Sequence, residues 1–167
     1  MKVLTYPHPF LTDDGHQEIV NLSLDELIFE MKITLDNLKG RGLASRQVGS
    51  KHRVILVYKP VMFKEDELIV MINPTIIAKT RDFQNSHEGC LSVPGVYGNV
   101  KRHSIIRVSY TDVNGKERDI TATGLYANAL QHEIDHLDGI LFIDKISKKE
   151  YKNSKKLLRS LEKKFTE

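Results

Sequence analysis

The first regular pattern along the chain is a stripe of apolar residues at helical spacing. Ser23 stands three residues before Glu26, which is the spacing of a capping box at the start of a helix. Apolar residues then recur every three or four positions as far as Leu38, and a glycine-containing segment follows. The pattern predicts an α-helix over residues 24–38.

The middle of the chain changes to short runs rich in β-branched residues. Three such runs, at 53–59, 68–74 and 75–80, are separated by prolines and predict three strands. Further on, apolar and polar residues alternate over 104–123, which predicts a β-hairpin. The pair Asn114-Gly115 inside it is typical of a two-residue turn with positive φ at both positions.

Two more helices are predicted in the C-terminal third. One spans residues 125–138 and ends before Gly139. The other spans 150–165, with apolar residues on one stripe and lysines elsewhere. Because strands dominate the middle of the chain and helices flank them, the order of elements favours an α+β fold over alternating βαβ units.

Composition narrows the class of protein. No apolar run is long enough to span a bilayer, and the N-terminus has neither the layout of a secretory signal nor that of a transit peptide, so we expect a cytoplasmic protein. The single cysteine, Cys90, excludes an intramolecular disulfide. A net charge of +3 does not predict nucleic-acid binding by the whole chain, although residues 145–167 hold nine Lys/Arg against three Glu.

The candidate chemistry lies in the second predicted helix, where "QHEIDH" contains the pattern His-Glu-x-x-His. His132 and His136 project from one face of a helix, so both can bind one metal ion. Glu133 lies about 100° round the helix from His132, where it can reach a water molecule on that ion. Two histidines are not a complete catalytic site, because such a site has a third protein ligand and an open position.

The third ligand has three candidate sources in the sequence. One large group of proteases supplies a further histidine three residues after a glycine, but Phe142 occupies that position here. A downstream glutamate, Glu150 or Glu162, would lie in the lysine-rich tail, where a supporting shell is hard to build. Cys90 remains, within "HEGCLSVPG", and a thiolate with two imidazoles suits a soft or borderline divalent metal.

Three segments together resemble the signature motifs of peptide deformylases: "GRGLASRQ" (40–47), "EGCLS" (88–92) and "QHEIDH" (131–136). The similarity covers nearly the whole chain. It implies one catalytic domain over residues 1–167, in which small antiparallel or mixed sheets surround a central metal-binding helix, with an N-terminal helix and a basic C-terminal helix. It also implies a hydrolase that removes the N-formyl group from the formylmethionine of newly synthesised polypeptides and releases formate.

The resemblance assigns roles to individual residues. Cys90, His132 and His136 would bind one divalent metal ion, expected to be Fe(II) in the cell, although zinc, nickel or cobalt could occupy the same ligands. Glu133 would accept a proton from the attacking water and later give it to the leaving amine.

The same resemblance predicts how the reacting group and the peptide are held. The side-chain amide of Gln47 and the backbone N–H of Leu91 would stabilise the developing oxyanion. An extended peptide would bind by strand addition along a glycine-rich edge. The residues expected to form this substrate site are Gly40, Arg41, Gly42 and Gly89.

Some residues depart from the usual family pattern or have two interpretations. Ser45 replaces the second alanine of the first motif, and its hydroxyl would need a partner. Arg41 and Asn128 stand where apolar residues are common. They would weaken a preference for an apolar first residue if they line its pocket; alternatively, Arg41 points to solvent and Asn128 bonds to backbone. Gln131 is either a partner of the metal ligands or a solvated helix residue.

Three questions about partners and rival functions stay open at this stage. The basic tail is a surface helix packed by its apolar stripe, a contact for ribosomal RNA, or both, since the stripe and the charges occupy different faces. No membrane partner is expected. A zinc endopeptidase would not need Cys90 as a ligand. A non-catalytic peptide-binding module would have no need of Glu133, Gln47 and Cys90 together.

Overall fold

The computed structural model describes residues 1–13, 17–60 and 65–166, and this part of the chain contains three α-helices and seven β-strands. The helices are α1 (Leu24–Asn37), α2 (Gly124–Leu137) and α3 (Lys148–Thr166). The strands are β1 (Gly42–Ala44), β2 (Val54–Lys59), β3 (Glu67–Lys79), β4 (Phe83–Cys90), β5 (Val93–His103), β6 (Ile105–Thr111) and β7 (Glu117–Thr123). The expected α+β class is confirmed. None of the described helices combines the length and apolar character that crossing a bilayer requires.

The described strands form two antiparallel sheets. Five of them make one sheet in the order β1-β2-β3-β6-β7, and β4 pairs with β5 in a separate hairpin. Strand β1 is an edge of the larger sheet, because it pairs with β2 alone, from Gly42 opposite Val57 to Ala44 opposite Ile55. This free edge lies where the sequence predicts strand addition by a peptide.

Helix α2 lies at the centre of the molecule. Its apolar residues Ala127, Leu130 and Ile134 are buried against residues of the large sheet, including Ile55 and Val108. Burial of each large aliphatic side chain contributes about 1.5–3 kcal/mol, so this face fixes the rotation of the helix. The opposite face therefore points its histidines toward the β4–β5 hairpin. The predicted bounds, 125–138, differ from the observed ones by a single residue at each end.

Helix α1 begins with the predicted capping box. The Ser23 hydroxyl accepts a hydrogen bond from the Glu26 N–H at 3.4 Å, and the Glu26 carboxylate accepts one from the Ser23 N–H at 3.0 Å. The helix buries Leu27 and Met31 completely in a second apolar cluster, which also contains Leu43 of β1. Helix α1 therefore packs against β1, which belongs to the motif at residues 40–47.

The predicted strands 68–74 and 75–80 are one continuous strand, β3. Proline lacks an N–H and usually interrupts a sheet, but it is tolerated at a bulge. Here the register with β6 shifts between Ile72 and Thr75, and Asn73 has a φ of 51°. The bulge takes Pro74 out of the ladder, and the strand continues beyond it.

The β6–β7 turn also differs from its predicted geometry. Of the pair Asn114-Gly115, Gly115 alone has positive φ, at 76°. The Asp112 carboxylate accepts hydrogen bonds from the N–H groups of Asn114 at 2.9 Å and Lys116 at 3.0 Å. This side-chain bonding favours a longer turn, in which one left-handed residue is sufficient.

The β4–β5 hairpin over residues 83–103 is not predicted by the sequence pattern. Its inward positions on β5 include Val96, Val100 and Arg102, which alternate with exposed residues. This alternation could have predicted a strand. It is hard to recognise in the sequence because some of the inward positions are polar or charged rather than apolar. The hairpin matters because Cys90 ends its first strand.

Helix α3 confirms the helix predicted over 150–165. Leu158 is buried in a third apolar cluster with Val100 and Phe142, and the Tyr6 hydroxyl donates to Glu162 at 3.0 Å. Its lysines lie on the exposed side. The stripe is narrower than predicted, since Leu157 and Phe165 remain about half exposed.

Candidate active site

Three potential metal ligands meet between α2 and the end of β4. The ligand atoms of Cys90, His132 and His136 all lie within 4.8 Å of one another, and Cys90 Sγ is 3.1 Å from His136 Nε2. The i, i+4 spacing on α2 brings the two imidazoles onto one face, with ring centroids 4.9 Å apart. The hairpin supplies the thiol from a distant part of the sequence.

The donor set and its surroundings fit a divalent metal ion. Thiolate sulfur and imidazole nitrogen are ligand atoms that zinc and other borderline divalent metals bind well. Burial, together with the charges on His132 and Arg102, lowers the pKa of His136 well below its ordinary value, so this imidazole is neutral and able to bind a cation. The three residues predicted as ligands therefore lie together in the structure.

The alternative ligands lie elsewhere. Glu150 accepts hydrogen bonds from the N–H of Asn99 at 2.9 Å and from the Ser147 hydroxyl at 2.7 Å. Glu162 accepts from Tyr6. Both glutamates belong to α3, and their hydrogen bonds to Asn99 and Tyr6 attach that helix to the rest of the molecule.

Glu88, to which the sequence reasoning gave no role, orients the first histidine. Its Oε2 lies 2.8 Å from His132 Nδ1, which leaves Nε2 of the same ring for the metal. Burial alone would raise the pKa of Glu88, but hydrogen bonds from Arg102 and His132 outweigh it and lower the pKa to about 2. Glu88 is therefore an ionised carboxylate inside the protein.

Arg102 neutralises that buried carboxylate and extends the network. Its Nε and one terminal nitrogen donate to the two oxygens of Glu88 at 2.7 and 2.8 Å, a bidentate pair. Its other terminal nitrogen donates to Asp135, which also accepts from Lys145 at 2.6 Å. Arg102 occupies an inward position in the alternating pattern of β5, and a charged residue there needs a partner of opposite charge. This position in the sequence could have indicated a buried ion pair.

Glu133 lies beside the three ligands in a different environment. It is 5% exposed, and its Oε2 has no hydrogen-bond partner among the described residues. Burial raises the pKa of this carboxyl to about 7, with a smaller contribution from the charge of Glu88. A carboxyl with this pKa can both accept and donate a proton near neutral pH.

Gly42 of the β1 edge touches Glu133. A Cβ added at Gly42 would lie 2.3 Å from Glu133 Oε1, closer than any real contact between these atoms. The absence of a side chain at this position therefore lets the edge strand approach the carboxylate.

The two predicted oxyanion donors also lie beside Cys90. Gln47 is 2% exposed, and its Oε1 accepts from the Ala44 N–H at 2.8 Å. This bond turns its amide nitrogen toward Ser92 Oγ at 3.1 Å and Cys90 Sγ at 3.5 Å. Leu91 follows Cys90 directly in the chain, and its side chain lies against Gly40.

A cavity of about 1130 Å³ opens onto these groups. Every predicted substrate residue lines it: Gly40, Arg41, Gly42 and Gly89. Arg41 is at its rim, with its guanidinium 2.5 Å from Asp66 and 5.9 Å from the centre of the Tyr58 ring. The Arg41 side chain is 62% exposed, in keeping with the prediction that it points outward.

The other unusual residues have definite partners. The Ser45 hydroxyl donates to the His52 carbonyl and accepts from the Val54 N–H at 3.3 Å. Asn128 is bonded to the side chain of Gln84 at 2.7 Å rather than to backbone, so that alternative is wrong. Asn128 also lines the cavity.

Gln131 fits neither of its two interpretations. Its side-chain oxygen accepts from the His103 N–H at 3.0 Å, and its nitrogen donates to the His103 and Ala127 carbonyls, each at 3.0 Å. It therefore ties α2 to the end of β5 and is 5% exposed.

Comparisons with known proteins agree with this geometry. The polypeptide deformylase family matches residues 1–152. A peptide deformylase of Thermodesulfovibrio yellowstonii is 50% identical over 128 residues, 77% of each chain, and one of Wolinella succinogenes is 44% identical over 153 residues, 88% of each chain. A crystal structure of peptide deformylase from Plasmodium falciparum superposes with a TM-score of 0.87 at 33% identity, covering 99% of this chain and 97% of that one. The chain therefore belongs to the polypeptide deformylase family, metallohydrolases that remove the formyl group from N-formylmethionyl peptides.

Proposed function

We propose that the three ligands, Glu133, the two oxyanion donors and the β1 edge carry out deformylation as one site in a single catalytic domain. The observation that supports this most strongly is the buried carboxylate of Glu133, whose Oε2 has no hydrogen-bond partner among the described residues. It lines a peptide-sized cavity beside Cys90, His132 and His136. The three ligands would hold one divalent ion, Fe(II) in the cell, and the same donors accept zinc, nickel or cobalt.

When bound, the ion supplies Lewis-acid polarisation of the formyl oxygen and lowers the pKa of water. The protein residues do the rest of the chemistry. Glu133, with a pKa of about 7, accepts a proton as the water oxygen bonds to the formyl carbon. It then donates that proton to the amide nitrogen as the carbon–nitrogen bond breaks. The products are formate and a free N-terminal amine.

Gln47 and Leu91 stabilise the negative charge that develops on the formyl oxygen. The bond from Ala44 to Gln47 Oε1 fixes the amide in advance, so no reorganisation is needed during the reaction. The backbone N–H of Leu91, adjacent to Cys90, would donate from the other segment of the site. Two donors from different elements define where the formyl oxygen sits.

The peptide binds as an added strand. No described strand other than β2 pairs with β1, which leaves the second edge of β1 for a peptide. Gly40, Arg41 and Gly42 line the cavity along this edge, and Gly89 lines it on the side of the hairpin. Gly42 brings this edge close to Glu133, so a peptide paired here places its N-terminal formyl group at the carboxylate.

Nascent polypeptides with an N-terminal formylmethionine are the proposed substrates, and the cytoplasm is the proposed location because such chains are made there. The exposed lysines of α3 are a proposed contact for ribosomal RNA. The buried side of that helix, centred on Leu158, keeps it attached to the molecule while its charged side remains free.

The experiment that tests the proposal follows the peptide formyl-Met-Ala-Ser by mass spectrometry with the protein loaded with Fe(II) under argon. We expect loss of the formyl group and no cleavage of an internal peptide bond. Internal cleavage would instead support an endopeptidase. Binding of the formylated peptide with neither reaction would support a non-catalytic module.

A further inference from the structure

The part of the cavity next to the metal ligands is walled by β4 and the first turns of α2. Ser86 and Glu88, two residues apart on β4, face Asn128 and Ala129 on α2, and all four line the cavity. In the substrate, only the amide nitrogen and the α-carbon separate the formyl carbon from the first side chain. If the formyl group is at Glu133, the first side chain is close enough to lie against this wall.

The orientation of Asn128 in the wall is fixed by Gln84. The Gln84 side chain is 3.0 Å from the Gly124 carbonyl and 2.7 Å from Asn128 Oδ1. A carbonyl accepts but does not donate, so the Gln84 atom must be its amide nitrogen. That nitrogen donates to Asn128 Oδ1. The other atom of the Asn128 amide, Nδ2, therefore points away from Gln84.

The wall presents hydrogen-bond donors without partners. Asn128 Nδ2 makes no hydrogen bond to any described residue, although Asn128 is 7% exposed. The Ser86 hydroxyl, in a residue that is 6% exposed, makes no side-chain hydrogen bond in the described part of the chain either. Neither atom belongs to the fully buried polar atoms without a partner, so both are open to water in the cavity. The Glu88 carboxylate beside them is already bonded to Arg102 and His132 and is not free to accept.

A purely apolar side chain is a poor match for this wall. It would displace water from Asn128 Nδ2 and the Ser86 hydroxyl and leave both without a hydrogen bond, which is unfavourable. A side chain that ends in an acceptor would satisfy both donors. Leu125 and Ala129, which also line this part of the cavity, provide apolar contact for its methylene groups.

We propose that this wall selects a first side chain ending in a hydrogen-bond acceptor, and that N-formyl peptides beginning with methionine sulfoxide are substrates alongside formylmethionyl peptides. The sulfoxide has the length of methionine and replaces a weak acceptor by a strong one. The inference rests on the proposed deformylation. It makes Asn128 and Ser86 residues that determine substrate specificity.

The test compares kcat/KM for formyl-Met-Ala-Ser and for the same peptide with methionine sulfoxide, using Fe(II)-loaded protein. We expect the sulfoxide peptide to be used within about tenfold of the methionine peptide. Asn128→Leu and Ser86→Ala should each reduce the sulfoxide-to-methionine ratio about tenfold, the effect of losing one hydrogen bond. Asn85→Leu, an exposed position of β4 pointing the other way, should leave the ratio unchanged.

Binding separates this inference from the proposed reaction. The dissociation constants of both peptides are measured by calorimetry with the metal-loaded Glu133→Ala protein, where no turnover is needed. When Asn128→Leu or Ser86→Ala is added to this variant, binding of the sulfoxide peptide relative to the methionine peptide should weaken by the same factor as the kinetic ratio. A binding ratio unaffected by both substitutions, or a sulfoxide peptide bound more than about a hundredfold more weakly than the methionine peptide, would overturn the inference. Absence of formate release from both peptides would instead contradict the proposed reaction.

Discussion

Glu88 and Glu133 are both buried carboxylates near His132, yet their surroundings move their pKa values in opposite directions. Two hydrogen-bonding partners outweigh burial at Glu88 and lower its pKa to about 2. Glu133 is buried and its Oε2 has no hydrogen-bond partner in the described part of the chain, so its pKa rises to about 7. In the proposed mechanism the two carboxylates therefore have different roles: Glu88 would remain a charged support for the imidazole of His132, and Glu133 would exchange protons.

Replacement of the thiol tests the third ligand. In Cys90→Ser a hydroxyl replaces the soft, ionisable sulfur, and we expect metal affinity to fall by more than about 100-fold, beyond the effect of changing a supporting residue. Competition with a chelator measures the affinity. Ser92→Ala, a neighbour that donates no ligand atom, is the matched control. Unchanged affinity in Cys90→Ser would favour the endopeptidase-type site.

Removal of the Glu133 charge should stabilise the protein at high pH. The folded-state pKa is raised above the unfolded value, so the neutral form is favoured in the fold, and stability is lost as the pH rises through about 7. In metal-free protein, Glu133→Gln should gain on the order of 3 kcal/mol near about pH 8.5 and little near about pH 4. Urea unfolding at the two pH values measures the difference. An equal effect at both would contradict the raised pKa.

Gly42 offers a test of the contact between the substrate edge and Glu133. The methyl group of Gly42→Ala would overlap Glu133 Oε1, so the carboxylate must move. A shift of about 1 Å reduces formate release about 100-fold, because proton transfer depends on position. Metal content should stay that of the wild type. A variant with full activity would show that the two residues do not meet.

At the scale of whole elements, Arg102 joins β5 to β4 through Glu88 and to α2 through Asp135. Arg102→Leu leaves the Glu88 carboxylate buried without its cation, and we expect a loss of about 3–5 kcal/mol in the free energy of unfolding. Arg107→Leu is the control, since the Arg107–Asp119 pair is about half exposed and contributes about 0–1 kcal/mol. Urea unfolding of both variants measures the two losses in free energy. Equal, small losses would show that the buried network contributes little to stability.

The parts of the fold that depend on local sequence could be predicted. The capping box of Ser23 and Glu26 and the i, i+4 histidines of α2 act within one or two helical turns, where spacing alone determines geometry. The parts that depend on distant partners could not. Glu88 and Arg102 become interpretable only when β4 and β5 pair, because a buried ion pair leaves no apolar signal in either strand.

The same distinction applies to the site. The family resemblance predicted Cys90, His132, His136 and Glu133 as site residues. The structure brings the first three together, and Glu133 follows His132 on α2. The resemblance gave no role to Glu88, and it left Asn128 and Gln131 with interpretations that the hydrogen bonds replace. Side-chain amides have both donors and acceptors, so their partners follow from tertiary contacts rather than from sequence spacing.

At the scale of the whole molecule, no residue of α3 lines the cavity, so ribosome binding and catalysis can be tested independently. Cosedimentation with ribosomes should occur at about 50 mM salt and weaken steeply toward about 200 mM. Charge reversal at Lys152, Lys155 and Lys163, all exposed, should abolish it and leave formate release from a free peptide unchanged. If the protein does not bind ribosomes even at low salt, the proposed contact between α3 and ribosomal RNA is wrong.

The central claim is that the buried Glu133 carboxylate, beside the Cys90, His132 and His136 centre, removes formyl groups from peptides. Its most direct test is the rate of formate release from formyl-Met-Ala-Ser by Fe(II)-loaded wild type and Glu133→Ala proteins of equal metal content. We expect rapid release by the wild type and a loss of at least about 100-fold in the variant, as for removal of a general base. No release by the wild type, or equal rates in the two proteins, would contradict the claim.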